Sequence, residues 1–240
     1  MVNPGRLKGW REHVESTQLA QPMIILAHRG SWRSPGEKNT GEAFRRAFEA
    51  GHGIETDVRD LDGDLVVSHD PPRRGAMSWD QLLDLYVDCG APGALAINIK
   101  ADGLAQSVNG SLEDRNLAAK GFVFDMSVPD MRAYLGGPVA VYTRFSDIEP
   151  TPALYEQAQG VWIDHFSDGW ASSRRALDDL AMGKAVAMVS PELHGKPHAD
   201  AWNAWDRDFR QAADGGASGF ERLMICTDRP DEAKERFSGL

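Results

Sequence analysis

Short apolar runs return along this chain with amphipathic stretches between them, the alternation expected of parallel strands joined by crossover helices. Eight runs stand out, at 23–27, 53–58, 94–99, 121–126, 139–142, 160–163, 185–189 and 223–226, and a ninth at 65–68 pairs back on the second as a hairpin strand. In the segment 41–49 the apolar residues Ala43, Phe44, Ala47 and Phe48 fall on one helical face. Helix starts are signalled by Ser78 with Gln81 three residues on, by Ser127 before Pro129, by Thr151 before Pro152 and by Asp228 before Pro230. The pattern predicts an α/β chain with a single (β/α)₈ TIM barrel over 23–240, a short extra β-hairpin after the second strand, and a polar arm at 1–22. An open doubly wound sheet shares the alternation. The barrel is favoured because His28, Asp57, Lys100, Asp125, Arg144 and Asp164 all sit at or just past the carboxyl ends of runs, where a barrel gathers its active-site residues.

Composition narrows the partners. With 26 basic against 36 acidic side chains and a formal charge of -10, a broad contact with nucleic acid is disfavoured, so a phosphate group has to meet a local cationic pocket. Cys89 and Cys226 stand far apart with no ligand-spaced neighbours, which fits reduced thiols in the cytoplasm. The opening twenty residues carry Arg6, Lys8, Arg11 and Glu15 where a secretory signal needs an apolar run, and no long apolar stretch follows. The expectation is a soluble cytoplasmic protein with a small-molecule partner, no nucleic acid and no stable membrane insertion.

The candidate chemistry lies in the first half of the chain. Glu55 and Asp57 are two apart on a predicted strand, so their carboxylates face the same way, and if they face inward they need a cation. On a solvated edge the same pair would need none. His28 and His69 each close an apolar run, an uncommon place for a solvated imidazole, and two imidazoles near a metal can exchange protons with attacking and leaving oxygens. Alone, either is as readily a hydrogen-bonded core histidine. Arg29 and Lys100 supply positive charge for an anion brought near two carboxylates.

In order along the chain stand His28-Arg29-Gly30, Asn39-Thr40 before a helix, Glu55-x-Asp57 and His69-Asp70, and near the end Thr227-Asp228-Arg229-Pro230. This set resembles the glycerophosphodiester phosphodiesterase family. The resemblance covers the first hundred residues and the closing turn, while the middle matches in architecture alone. It implies a TIM barrel in which His28 and His69 act as general base and general acid, Glu55 and Asp57 hold one divalent cation, Mg²⁺ or Ca²⁺, and Arg29 and Lys100 contact phosphate. It also implies attack by a substrate hydroxyl, with a cyclic phosphate that water then opens. Two departures from the family pattern matter. Asn98 stands where a third metal-binding glutamate is usual, leaving Asn98 or Asp125 as the third ligand, and Lys38 precedes Asn39 where a glutamate is usual, so Glu37 inherits no role.

The expected function is therefore metal-dependent hydrolysis of a glycerophosphodiester or related polyol-phosphate diester. Two alternatives stand beside it: a barrel that binds a phosphorylated ligand without turnover, motivated by Asn98, and a barrel phospholipase acting on lipid phosphodiesters, which needs an apolar rim that no long apolar loop here provides.

Overall fold

The computed structural model describes residues 23–240, so the predicted polar arm lies outside the described residues. The strands are β1 (Ile24–His28), β2 (Gly53–Leu61), β3 (Asp64–Val67), β4 (Leu95–Ile99), β5 (Gly121–Phe124), β6 (Ala140–Phe145), β7 (Gly160–Ile163), β8 (Ala185–Val189) and β9 (Leu223–Thr227). Eight of them, all but β3, form a parallel ring in the order β1-β9-β8-β7-β6-β5-β4-β2 that closes through β1–β2 pairing. That closed ring is the expected barrel, and it excludes the open sheet. β3 bonds antiparallel to the outer part of β2 through an Asp62-Gly63 turn whose φ values, 55 and 96, suit this dipeptide and the twist of a hairpin.

The helices are α1 (Gly41–Glu49), α2 (Trp79–Asp88), α3 (Ala105–Asp114), α4 (Val128–Tyr134), α5 (Ser173–Ala181), α6 (Ala199–Asp214) and α7 (Pro230–Arg236). α1 buries the four apolar residues expected of it, and α2 starts on the Ser78–Gln81 capping box. Ser127 caps α4 through the Asp130 N–H. Two start signals misled. No helix follows Thr151 and Pro152: Leu154 takes φ 52, and Lys184 draws the carbonyls of Tyr155 and Ala158, so the segment runs as turns between β6 and β7. Asp228 does not cap α7, whose N-cap is Arg229 without a side-chain bond, because the Asp228 carboxylate is engaged elsewhere. No helix among the described residues is long and apolar enough to cross a membrane.

Every second residue of a barrel strand points inward. The interior holds Leu26, Ala96, Phe122, Phe124, Tyr142, Trp162, Ala187, Val189, Met224 and Cys226. Large rings come from β5, β6 and β7, with Phe122 stacked on Tyr142 at 3.8 Å and Phe124 on Trp162 at 3.9 Å. Gly160 makes room for them, since a Cβ there would meet the Tyr142 ring at 2.6 Å. Followed towards their carboxyl ends, the same inward rows turn polar: Leu26 gives way to His28, Ala96 to Asn98 and Tyr142 to Arg144.

Candidate active site

The site begins with the sharp exit from β1. Arg29 and Gly30 both take positive φ, 57 and 87, and a Cβ on Gly30 would lie 2.7 Å from the Ala43 carbonyl carbon, so only glycine lets α1 approach this closely. Ser31 N–H donates to Ala43 O at 2.9 Å and Asn39 N–H to Arg29 O at 3.0 Å, which locks the turn against the start of α1. Both side chains are thereby aimed over β2. Arg29 Nε lies 3.0 Å from Asp57 Oδ2, and Asn39 Nδ2 donates to the same oxygen at 2.9 Å. Thr56 Oγ1 donates to Asn39 Oδ1 at 3.1 Å, which fixes which way the amide faces.

Glu55 and Asp57 both point inward and are buried. Asn98 is the β4 register partner of Asp57, and its Nδ2 donates to Glu55 Oε1 at 3.2 Å. Lys100, two residues on, places Nζ 3.6 Å from Asp57 Oδ1 and 3.3 Å from Asp125 Oδ2. Arg144 takes the other Asp125 oxygen and also holds Glu149 at 2.7 Å. Burial first, and the neighbouring Asp57 charge second, push the Glu55 carboxyl up from 4.5 to about 7. Three buried oxygens in this group have no hydrogen-bond partner: Glu55 Oε2, Asp57 Oδ1 and Asn98 Oδ1. Orphaned oxygens on adjacent strands are the donor set of a hard divalent cation, so the residues present fit one. Of the two candidates for a third donor, Asn98 has the free oxygen, whereas both Asp125 oxygens sit in ion pairs. Among the described residues no three His, Cys, Asp or Glu side chains form a ready-made metal cluster, as follows from an amide holding the third place.

The two histidines are placed differently. His28 is buried, with Nδ1 2.6 Å from Asp228 Oδ1 and Nε2 3.9 Å from Glu55 Oε2. Burial raises the Asp228 carboxyl, but the hydrogen bond and charge of His28, joined by Lys38 at 3.6 Å, outweigh it and leave Asp228 below its ordinary value. An ionised carboxylate only accepts, so Nδ1 of His28 carries a proton, and in the neutral imidazole the lone pair lies on Nε2. His69 stands outside the ring on the loop after β3, with its side chain 46% exposed and Nδ1 2.9 Å from Asp70 Oδ1. It does not touch the carboxylate group, but it lines a cleft of about 1270 Å³ together with Arg29, Lys38 and Asn39. Both imidazoles therefore rest Nδ1 on a carboxylate and leave Nε2 open.

Asp228, read in the sequence as a helix start and part of the closing turn, proves to be the orienting partner of His28. Its position at the end of the last strand was the available signal. Glu192 accepts from the Asp228 N–H at 3.1 Å and from Thr227 Oγ1, bracing the same turn. Glu37 bonds Arg46 and the Arg33 N–H, a local structural job. Asp164 accepts from His194 at 2.7 Å, and Trp162 packs inside the barrel. Three large apolar side chains stand in solvent on the loops following β6 and β7: Ile148, Phe166 and Trp170, at 69%, 38% and 40% exposure.

No protein-family model matches the sequence, and neither does any curated protein sequence. Solved structures do match. A glycerophosphodiester phosphodiesterase from Agrobacterium tumefaciens superposes with a TM-score of 0.62 at 17% identity, covering 89% of this chain and 99% of its own. One from Parabacteroides distasonis gives 0.59 at 18% identity, covering 88% and 95%. The chain has the glycerophosphodiester phosphodiesterase fold. A Ca²⁺-dependent phosphatidylinositol-specific phospholipase C from Streptomyces antibioticus shares the barrel more loosely, with a TM-score of 0.50 at 12% identity over 88% and 96% of the two chains. In a barrel of this kind the carboxyl ends of the strands form the working face, and that is where His28, Glu55, Asp57, Asn98 and Lys100 meet.

Proposed function

We propose that this protein is a phosphoric diester hydrolase that cleaves a glycerophosphodiester or related polyol-phosphate diester with one divalent cation, Mg²⁺ or Ca²⁺. The observation that carries the reading is the junction of opposite charges at the mouth: three orphaned carboxylate and amide oxygens lie beneath Arg29 and Lys100, beside an oriented His28. Such a place suits a cation and a phosphate together. Glu55, Asp57 and Asn98 would hold the cation, which when bound supplies Lewis-acid polarisation and charge neutralisation.

Arg29 and Lys100 offer their remaining N–H donors to the phosphate oxygens and offset its charge. His28 Nε2 takes the proton of the attacking hydroxyl, one on the substrate itself, as a new P–O bond forms. His69 Nε2, protonated, gives its proton to the departing alcohol as the old P–O bond breaks. The product of that step is a cyclic phosphate. Water then opens it, giving its proton to His69 while His28 returns its own to the ring-opening oxygen, and both imidazoles regain their starting states. Asp228 and Asp70 hold the tautomers in which Nε2 does this work. The free cysteines, Cys89 and Cys226, fit a reducing cytoplasm.

The test is release of free alcohol from a panel of glycerophosphodiesters by purified protein, with chelator and with Mg²⁺ or Ca²⁺, beside His28→Ala and His69→Ala. Metal-dependent turnover lost in both folded variants is the expected result. Tight binding of the diesters without product would instead select the non-catalytic barrel. A lipid diester is a second reading, favoured by Ile148, Phe166 and Trp170 standing in solvent at the mouth. Faster cleavage of a vesicle-borne phospholipid than of its soluble head-group diester would select it.

A further inference from the structure

The segment between β3 and α2 is closed at its base: Val67 N–H donates to Met77 O at 2.9 Å, and Val66 bridges Ser78. A nine-residue excursion with its ends pinned is a compact loop with a defined shape. Its first half carries His69 and Asp70. Its second half begins with Pro71-Pro72, whose fixed φ stiffens the path, and turns at Arg73–Ala76, where Ala76 N–H donates to Arg73 O at 3.1 Å and Gly75 takes φ 93. Arg73 and Arg74 are both exposed on this turn.

What asks for a ligand is two unpaired cations side by side on one turn. In a chain of formal charge -10 most cations hold a carboxylate or carbonyl, yet Arg73 and Arg74 make no ion pair or side-chain hydrogen bond among the described residues. Two adjacent guanidinium groups repel, and no carboxylate among the described residues pairs with either. They line a hollow of about 680 Å³ that shares Ser68, Asp70 and Ala76 with the 1270 Å³ cleft of Arg29 and His69. The one acidic side chain of that hollow, Asp70, is engaged by His69. On the α1 side of the cleft Glu42 and Glu49 stand beside Arg45 and Arg46, so that wall is charge-balanced and offers an anion nothing comparable to the adjacent arginines of the turn. The cleft alone exceeds the roughly 300–1,000 Å³ of ordinary small-ligand pockets, leaving space beyond a single diester.

We propose that Arg73 and Arg74 form a subsite for a second phosphate group, carried by the substrate outside the diester that is cleaved. The proposal rests on the phosphodiesterase reading for its substrate and on the loop for its geometry. Because the subsite and His69 share one pinned loop, the second phosphate engages beside the alcohol that leaves.

The experiment compares glycerophosphoinositol with its ring-phosphorylated form, measuring kcat/KM for the wild type and for the double variant Arg73→Gln, Arg74→Gln, at low and at physiological salt. Calorimetric titration with inorganic tripolyphosphate runs alongside. The wild type is expected to prefer the phosphorylated substrate by roughly threefold to tenfold at low salt, as two exposed charge-assisted contacts allow, and less at higher salt. In the double variant the ratio is expected to fall to about one, and tripolyphosphate to bind several-fold more weakly. A wild-type ratio of one, or a preference the double variant keeps, overturns the proposal. If the wild type turns over neither diester, the hydrolase reading fails separately, and equal tripolyphosphate affinity in both proteins then rejects the subsite.

Discussion

Glu55 makes the stability of the cation-free protein depend on pH in a direction opposite to that of most carboxylates. In the fold its carboxyl titrates near 7, whereas an unfolded glutamate titrates near 4.5. The folded state thus holds this proton more firmly. The stability it contributes is complete below pH 4.5 and is lost as the pH rises through 7. A gap of about two and a half pH units, at about 1.4 kcal/mol each, amounts to about 3–4 kcal/mol in all, most of it lost between pH 5 and 8. Carboxylates lowered by their partners, such as Asp228 and Glu232, behave the other way, and their stability disappears only as pH falls below their ordinary values near 4. The window from pH 5 to 8 therefore isolates Glu55 among the shifted acids. Urea unfolding in excess chelator should show the wild type losing about 3 kcal/mol across that window, and Glu55→Gln, which keeps the shape without the charge, losing much less. Saturating Mg²⁺ or Ca²⁺ at pH 8 should restore about 3 kcal/mol at a concentration near one hundred times Kd. Equal pH dependence in Glu55→Gln and wild type would refute the assignment of a buried, proton-holding Glu55.

Other perturbations probe the same site. Asp228→Asn removes the acceptor that fixes the His28 tautomer, so kcat should fall on the order of 10²-fold with little change in KM, a split that steady-state kinetics reads directly. Asn98→Glu puts a third carboxylate beside Glu55 and Asp57, and calorimetry should find tighter cation binding together with lower stability in chelator; no change in either would show that position 98 does not face the ion. Gly30→Ala meets the Ala43 backbone at 2.7 Å in a left-handed conformation, and thermal unfolding should reveal a loss of about 1–3 kcal/mol.

What could be read from the sequence was what local rules determine. Two-residue periodicity put Glu55 and Asp57 on one face, and the fold turns that face inward. The Ser78–Gln81 pair and the apolar stripe of 41–49 located two helices, because caps and amphipathic faces are short-range properties. The pairing of His28 with Asp228 spans 200 positions and exists only because β9 closes the ring against β1. No local pattern encodes it. The Thr151-Pro152 signal failed for the complementary reason, since Lys184, just before β8, took the carbonyls that a helix would have used. Exposure on the β6 and β7 loops was equally hidden: Asp147, held well below the carboxylate range by the Ser167 side chain and the Phe166 N–H, binds the neighbouring loop and fixes Phe166 outward.

The charge balance of the mouth gives Asn98 a rationale beyond a missing ligand. Setting aside Arg144, which is shared with Glu149, the groups around the orphaned oxygens are Glu55, Asp57, Asp125 and Asp228 against Arg29, Lys38 and Lys100. With the carboxylates ionised, four negative charges face three positive ones. A divalent cation reverses that excess to one positive charge, and a diester monoanion cancels it. The charge that builds on phosphorus oxygens as the attacking hydroxyl adds then meets Arg29 and Lys100 in a site with no surplus of negative charge. A glutamate at position 98 would hold the cation more tightly but leave the loaded site one charge negative before the reaction starts. An amide in that place thus trades cation affinity for a field better matched to the transition state than to the resting site.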